Sequence, residues 1–162
     1  MSTTRTRPSA TVVTVVPVRL AFSLLLSAAL LTGCGGSSKR LTKEEYAAKA
    51  DAICAKYNEQ VKKLDNPSNL DELAKVSDDT IPILDSAIGD LKKLKPPASE
   101  QETADRWLDQ VENLKDDLSE IRDKAKDNDM QGVQAVVPKA QEHNSQSNAL
   151  ATQLGMSVCN SD

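Results

Sequence analysis

The chain has 162 residues, 27% of them charged and only 2% aromatic, with three cysteines and a single histidine. Lys and Arg number 20 against 24 Asp and Glu, a formal net charge of −4. That balance argues against nucleic-acid binding, which rewards clustered Lys and Arg against phosphate, and the few rings argue against carbohydrate sites or base-stacking platforms.

The first element is a leader. Arg5, Arg7 and Arg19 precede an uncharged stretch, residues 20–31, which closes on Leu31-Thr32-Gly33-Cys34. A basic start, an apolar core and small residues describe an export signal, and the apolar stretch is shorter than the ~20 residues of a membrane span. Leu-Thr-Gly-Cys resembles the lipobox of bacterial lipoproteins. That resemblance implies a diacylglyceryl group on the Cys34 sulfur, cleavage of the Gly33–Cys34 bond and, often, acylation of the new amine. Residues 1–33 would then be a cleaved lipoprotein signal peptide. Two other readings remain open. One is an uncleaved anchoring helix lengthened by residues 12–18, although Pro17 and Arg19 interrupt it. The other is an ordinary signal peptide with a soluble product.

Residues 34–41 follow as a tether, with Gly35-Gly36-Ser37-Ser38 giving flexibility of the Gly/Ser type. Without the leader, 17 basic residues face all 24 acids, a net charge of −7. A chain so charged is not expected to lie flat on an anionic bilayer, so acyl chains rather than a basic face are expected to hold it.

Four amphipathic segments fill residues 42–162. The first opens on a capping box, Thr42 with Glu45, and carries Ala47, Ala50, Cys54, Tyr57, Val61 and Leu64 at helical steps. Asn66-Pro67 ends it. The second starts near Ser68 or Asn69 and runs to about Lys95. Its inner face is Leu70, Leu73, Ser77, Ile81, Leu84, Ile88, Leu91 and Leu94, and Pro82 implies either a kink or two shorter helices. Pro96-Pro97 stops it.

A second capping box, Ser99 with Glu102, opens the third segment, where Ala104, Trp107, Val111, Leu114, Leu118, Ile121 and Ala125 recur. Gly89, in the second helix, is read as making room for Trp107, with a ligand near its backbone as the rival reading. The fourth segment runs from about Met130 to Leu154, is interrupted by Pro138 and ends at Gly155, a residue suited to a left-handed helix end. The fold class is all-α: an up-down-up-down antiparallel four-helix bundle.

With Cys34 lipidated, Cys54 and Cys159 remain as a pair in an oxidising compartment. Cys54 lies roughly 17 Å into the first helix at 1.5 Å per residue, and the tail from Gly155 to Cys159 reaches about that far when extended. The expected disulfide is therefore Cys54–Cys159. Two free thiols are the alternative, and a metal site with His143 is a poor third because zinc spacing is absent. Residues 41–46 and 50–54, together with residues 154–159, are also similar to small helical lipoproteins of high-GC Gram-positive bacteria. That group supports the fold and location and implies no activity.

Catalytic motifs are not found. His143 has no nucleophile motif around it, and Glu-x-x-His is missing because Ala140 stands three residues before it. Asp78-Asp79 and Asp116-Asp117 are read as solvated faces. Asp127-x-Asp129-x-Gln131-Gly132 resembles half of a calcium loop, but its twelfth position is Pro138, so Asp129 is read as a helix cap. In the polar run of residues 141–148, His143, Asn144 and Ser147 fall where a bundle helix should be apolar, and buried polar groups need partners. A polar network, a cleft and a helix at the bundle edge are the three accounts, of which the edge is preferred.

The expected protein is thus a non-enzymatic lipoprotein on the extracytoplasmic face of the cell membrane. Its role is structural or protein-binding, with an envelope protein as partner, no cofactor, no metal and no nucleic acid. The alternative is a small-ligand or metal-binding lipoprotein using His143, Asn144 and Ser147, and a hydrolase using His143 is more distant.

Overall fold

Residues 39–160 are described by a computed structural model; the leader and Cys34 lie outside them. Within them are α1 (Lys43–Val61), α2 (Leu70–Leu91), α3 (Gln101–Lys126) and α4 (Met130–Gln153), and no strand.

Most helix ends are written in local chemistry. Thr42 accepts from the Glu45 amide while the Glu45 carboxylate accepts from the Thr42 amide, the reciprocal capping box expected for α1. Asn69 caps α2 through the Glu72 amide, and the Glu72 carboxylate turns back to the amide and hydroxyl of Ser68. Pro82 does not split α2, which stays one helix. Asp78, whose carbonyl loses its donor there, is exposed, as is Pro82, so solvent reaches that carbonyl.

The start of α3 departs from expectation. Ser99 and Glu102 form no capping box; Pro97 instead launches a 3-10 turn (Ala98–Glu100), and the Glu100 amide donates to the Pro97 carbonyl. Asn128, at φ 56°, turns the chain out of α3. Asp129 then caps α4, its Oδ1 accepting from the Gly132 amide at 2.8 Å while Oδ2 pairs with Lys124. A Cβ on Gly132 would stand 2.2 Å from that Oδ2. The calcium-like pattern is therefore a cap, with glycine where the capping carboxylate leaves no room for a side chain. At the far end of α4, Gly155 takes φ 82°, its amide donates to Thr152 and the Met156 amide to Ala151, a Schellman closure.

Ion pairs give the direction of packing. From Lys92 to Asp85 to Asp78, moving back along α2, the partners on α3 advance from Glu112 to Lys115 to Arg122 and Lys126. The two helices are therefore antiparallel. α3 packs on both α2 and α4, whereas α1 packs chiefly on α2. The Tyr57 hydroxyl donates to Asp90 at 2.8 Å, and α1 ends one turn later. Consequently α1 flanks only the C-terminal part of α2. Beside the first turns of α2 lies the connecting loop, with Leu64 and Pro67 across a groove from Lys75 and Val76.

Two apolar clusters result. Four helices meet in the larger one, where Tyr46, Ala47, Ala50, Leu91, Ala104, Trp107, Leu150, Ala151, Leu154 and Met156 are buried. Burial, with Asp105 adding to it, pushes the Tyr46 phenol up to about 12. The Trp107 indole N–H has no hydrogen-bond partner among the described residues, so packing alone holds the ring. The smaller cluster joins Ala74, Ala125 and Val133, with Leu70, Leu73 and Ile121 around them, and α1 takes no part in it.

Gly89 does not make room for Trp107, because a Cβ built there meets nothing within 4 Å. The alanines at 47, 50, 104 and 151 belong to the tryptophan's own cluster and keep that part of the core narrow. Gly89→Ala is therefore expected to stabilise the domain by about 0.5–1 kcal/mol, the ordinary helix-propensity gain. Urea unfolding measures it, and a loss of stability would show that another group meets the Cβ.

Candidate functional site

The C-terminal tail closes the side between α1 and α4. Cys54, on α1, is disulfide-bonded to Cys159, as the reach of the tail required. One turn before Cys54, Asp51 gathers the tail. Its Oδ2 accepts from the Ser157 amide (2.8 Å) and hydroxyl (3.0 Å), and its Oδ1 from the amides of Val158 (2.9 Å) and Cys159 (3.0 Å). Desolvation pulls this carboxyl upward, but the four donors outweigh it and hold Asp51 below the usual carboxylate range. Met156, on the way, is buried in the larger cluster. Asp51 was not singled out in the sequence, although an acid one turn from a cystine is placed to cap whatever chain the cystine brings in.

α4 packs chiefly on α3, as a helix at the edge would, but its polar run is not all turned to solvent. Ser147 is 4% exposed, and His143 meets a carboxylate contributed by α3. That carboxylate is Asp117, which is 0% exposed. The reading of Asp116-Asp117 as a solvated face is thus half wrong: Asp116 faces out and Asp117 faces in. The His143 Nδ1–H donates to Asp117 Oδ2 at 2.6 Å, and Lys139 Nζ approaches Oδ1 at 2.9 Å. Lys139 and His143 lie one turn apart on α4, so both reach the same group. Burial acts to raise the Asp117 carboxyl, but Lys139 and His143 together win and hold it below the ordinary carboxylate range. Lys139, 56% exposed, is held charged in turn, chiefly by its hydrogen bond to Asp117.

Of the residues expected at the site, His143 and Ser147 face the bundle, and Asn144 is half-buried on the same stretch. The residue that organises them is Asp117. Its signal was present but indirect: inward polar residues on one helix demand a partner on the facing helix. With Nδ1 committed to the carboxylate, Nε2 is the imidazole nitrogen left for other contacts, on a side chain 19% exposed. The arrangement can fix the pairing of α3 with α4 and can titrate. Among the described residues, no group of three or more His, Cys, Asp or Glu side chains is arranged to hold a metal ion.

No family model matches the chain, and neither a curated protein nor a solved structure matches it.

Two measurements test these assignments. Asp117→Ala is expected to cost about 1.5–3 kcal/mol, the range for hydrogen bonds to charged groups. Because the folded-state pKa of Asp117 is depressed, its contribution is present above the unfolded value near ~4 and is lost as pH falls through the folded value. Asp117→Asn should therefore flatten the acid limb of a stability–pH curve, and an unchanged limb would remove Asp117 from the account. At the other site, Asp51→Ala should speed amide exchange at residues 157–159 and lower Tm while the disulfide stays closed. Unchanged exchange there would show that the cystine alone orders the tail.

Proposed function

We propose that this chain is an exported, lipid-anchored helical domain with a structural or protein-binding role at the cell envelope. The observation that carries the reading is the distribution of cysteines. Cys54 and Cys159 are used by one another, which leaves Cys34 as the one remaining cysteine, directly after Leu31-Thr32-Gly33. A disulfide closing a 105-residue separation suits an oxidising compartment outside the cytoplasm. An apolar leader that ends on a lone cysteine suits a lipidation site. Both features favour the same location.

The ligand-binding alternative drew on the polar face of α4. That face is now largely explained by structure, since His143 serves the buried Asp117 and Ser147 is packed inward. An envelope protein remains the partner this reading favours.

Processing decides the matter. Mass spectrometry of the mature protein should find an N-terminus at Cys34 carrying a diacylglyceryl group. Cys34→Ala should retain the leader or release the protein from the membrane fraction. A mature N-terminus at any other residue, without lipid, would end the proposal.

A further inference from the structure

The net charge of the domain conceals an uneven distribution. Where the chain enters α1, the Leu41 amide donates to the Lys95 carbonyl at 2.9 Å, fastening the incoming segment on the α2–α3 connection. Arg40 is fixed beside it. One guanidinium nitrogen donates to the Pro96 carbonyl (2.9 Å) and to Gln101 Oε1 (2.6 Å), so the side chain is held without a carboxylate. Lys39, Lys92 and Lys95 line the same shallow concavity, and no Asp or Glu lines it. Of these, Lys92 also pairs with Glu112, which is not in that lining, and the neighbouring Lys43 and Lys93 pair with Glu100 and Asp90. Lys39, Arg40 and Lys95 have no carboxylate partner among the described residues, and an uncompensated cluster of this kind fits phosphate.

We propose that this concavity seats the phosphate headgroups of an anionic bilayer, making the disulfide-strapped end of the bundle its membrane-facing end. The proposal rests on the lipid anchor at Cys34. Five residue steps separate Cys34 from Lys39, so the lipidated cysteine could lie no more than ~17 Å away. That ceiling is about twice the 8–10 Å or so over which surface charge is felt at physiological salt. A diacyl anchor already retains the protein, so the work left to the patch is orientation. It would stand the acidic bundle on this basic patch, which a net charge of −7 disguises. Phosphate-rich wall polymers offer the same chemistry, but the tether brings the lipid surface near first.

The test uses the mature protein in vesicles of phosphatidylcholine alone or with phosphatidylglycerol. Limited acylation of lysines, read by peptide mass spectrometry, compares Lys39, Lys92 and Lys95 with Lys62 and Lys126 on other parts of the domain. Labelling of Lys39, Lys92 and Lys95 should be several-fold slower in the anionic vesicles only, and high salt should abolish the difference. In the triple variant Lys39→Gln, Arg40→Gln, Lys95→Gln, Lys92 should lose its protection while the protein stays in the vesicles. Equal labelling in both vesicles, with the N-terminal peptide lipidated, overturns the seat and leaves the anchor standing. Protection by soluble wall polymer but not by vesicles also overturns it. An unlipidated N-terminal peptide overturns the anchor and the seat together.

Discussion

Cys54 and Cys159 join two parts of the chain that the helices themselves hold together least. α2, α3 and α4 form a continuous packed body, while α1 leans mainly on α2 and covers only part of its length. Without a link across its open side, α1 would depend on the few turns that contribute Tyr46, Ala47 and Ala50 to the core. The tail supplies that link in three ways. Leu154 and Met156 fill the apolar gap, Asp51 satisfies the tail amides, and the cystine fixes the ends covalently. In the chain-entropy view, closing so long a loop stabilises by up to about 4–5 kcal/mol, through the unfolded state rather than through native contacts. That is of the same order as the whole stability of a small domain. The four-helix end of the molecule is therefore a three-helix body with a fourth helix strapped on.

The pairing of α3 with α4 has a different logic. A buried carboxylate is poor evidence of stability in itself, since desolvation offsets much of the Coulombic gain. What it does well is choose a register. Lys139 and His143 approach Asp117 from successive turns of α4. Sliding α4 by one turn would leave the carboxylate facing Ala135 and Lys139, or His143 and Ser147, with one of its two partners gone. The apolar contacts of the smaller cluster, among Ala74, Ala125, Val133 and the leucines and isoleucine around them, carry no polar group that fixes a register. Asp117 supplies discrimination by charge and hydrogen bonding.

Much of this fold was legible in the chain, and the reason is locality. Thr42, Asn69, Asp129 and Gly155 each terminate a helix through hydrogen bonds to residues within a turn, so a short window of sequence contains the whole interaction. Even the disulfide could be reached, because an antiparallel topology and a length of tail fix the distance. Most of what failed was non-local. Asp117 looks like its neighbour Asp116 until the facing helix is known. Gly89 seemed to need Trp107, but their proximity depended on a register that sequence does not carry. Ser99 lost its cap because Pro97 had already begun a tighter turn, a competition between two local signals in which proline's fixed φ prevailed. Tyr46 lies off the apolar stripe of α1 and yet is buried, because the strap and α3 enclose that end of the helix on more than one side.

The same asymmetry bears on how the domain would meet its surroundings. The end that holds the larger core, the cystine and the Asp51 clamp is also where the chain enters, between Leu41 and Lys95. Under the proposed anchoring, rigidity and attachment would coincide: a pull on the N-terminal segment would be delivered to the most cross-linked part of the molecule. The opposite end is built from three helices and a connecting loop, with Met130 exposed there on the first turn of α4. Segments with few buried apolar contacts open locally at lower cost than a strapped core does. Under the proposed anchoring, the stiff end stays at the bilayer and the adaptable end is the part presented outward. A partner that must be met by adjustment would be met there, by α2, α4 and the loop between α1 and α2, rather than at the end held by the strap.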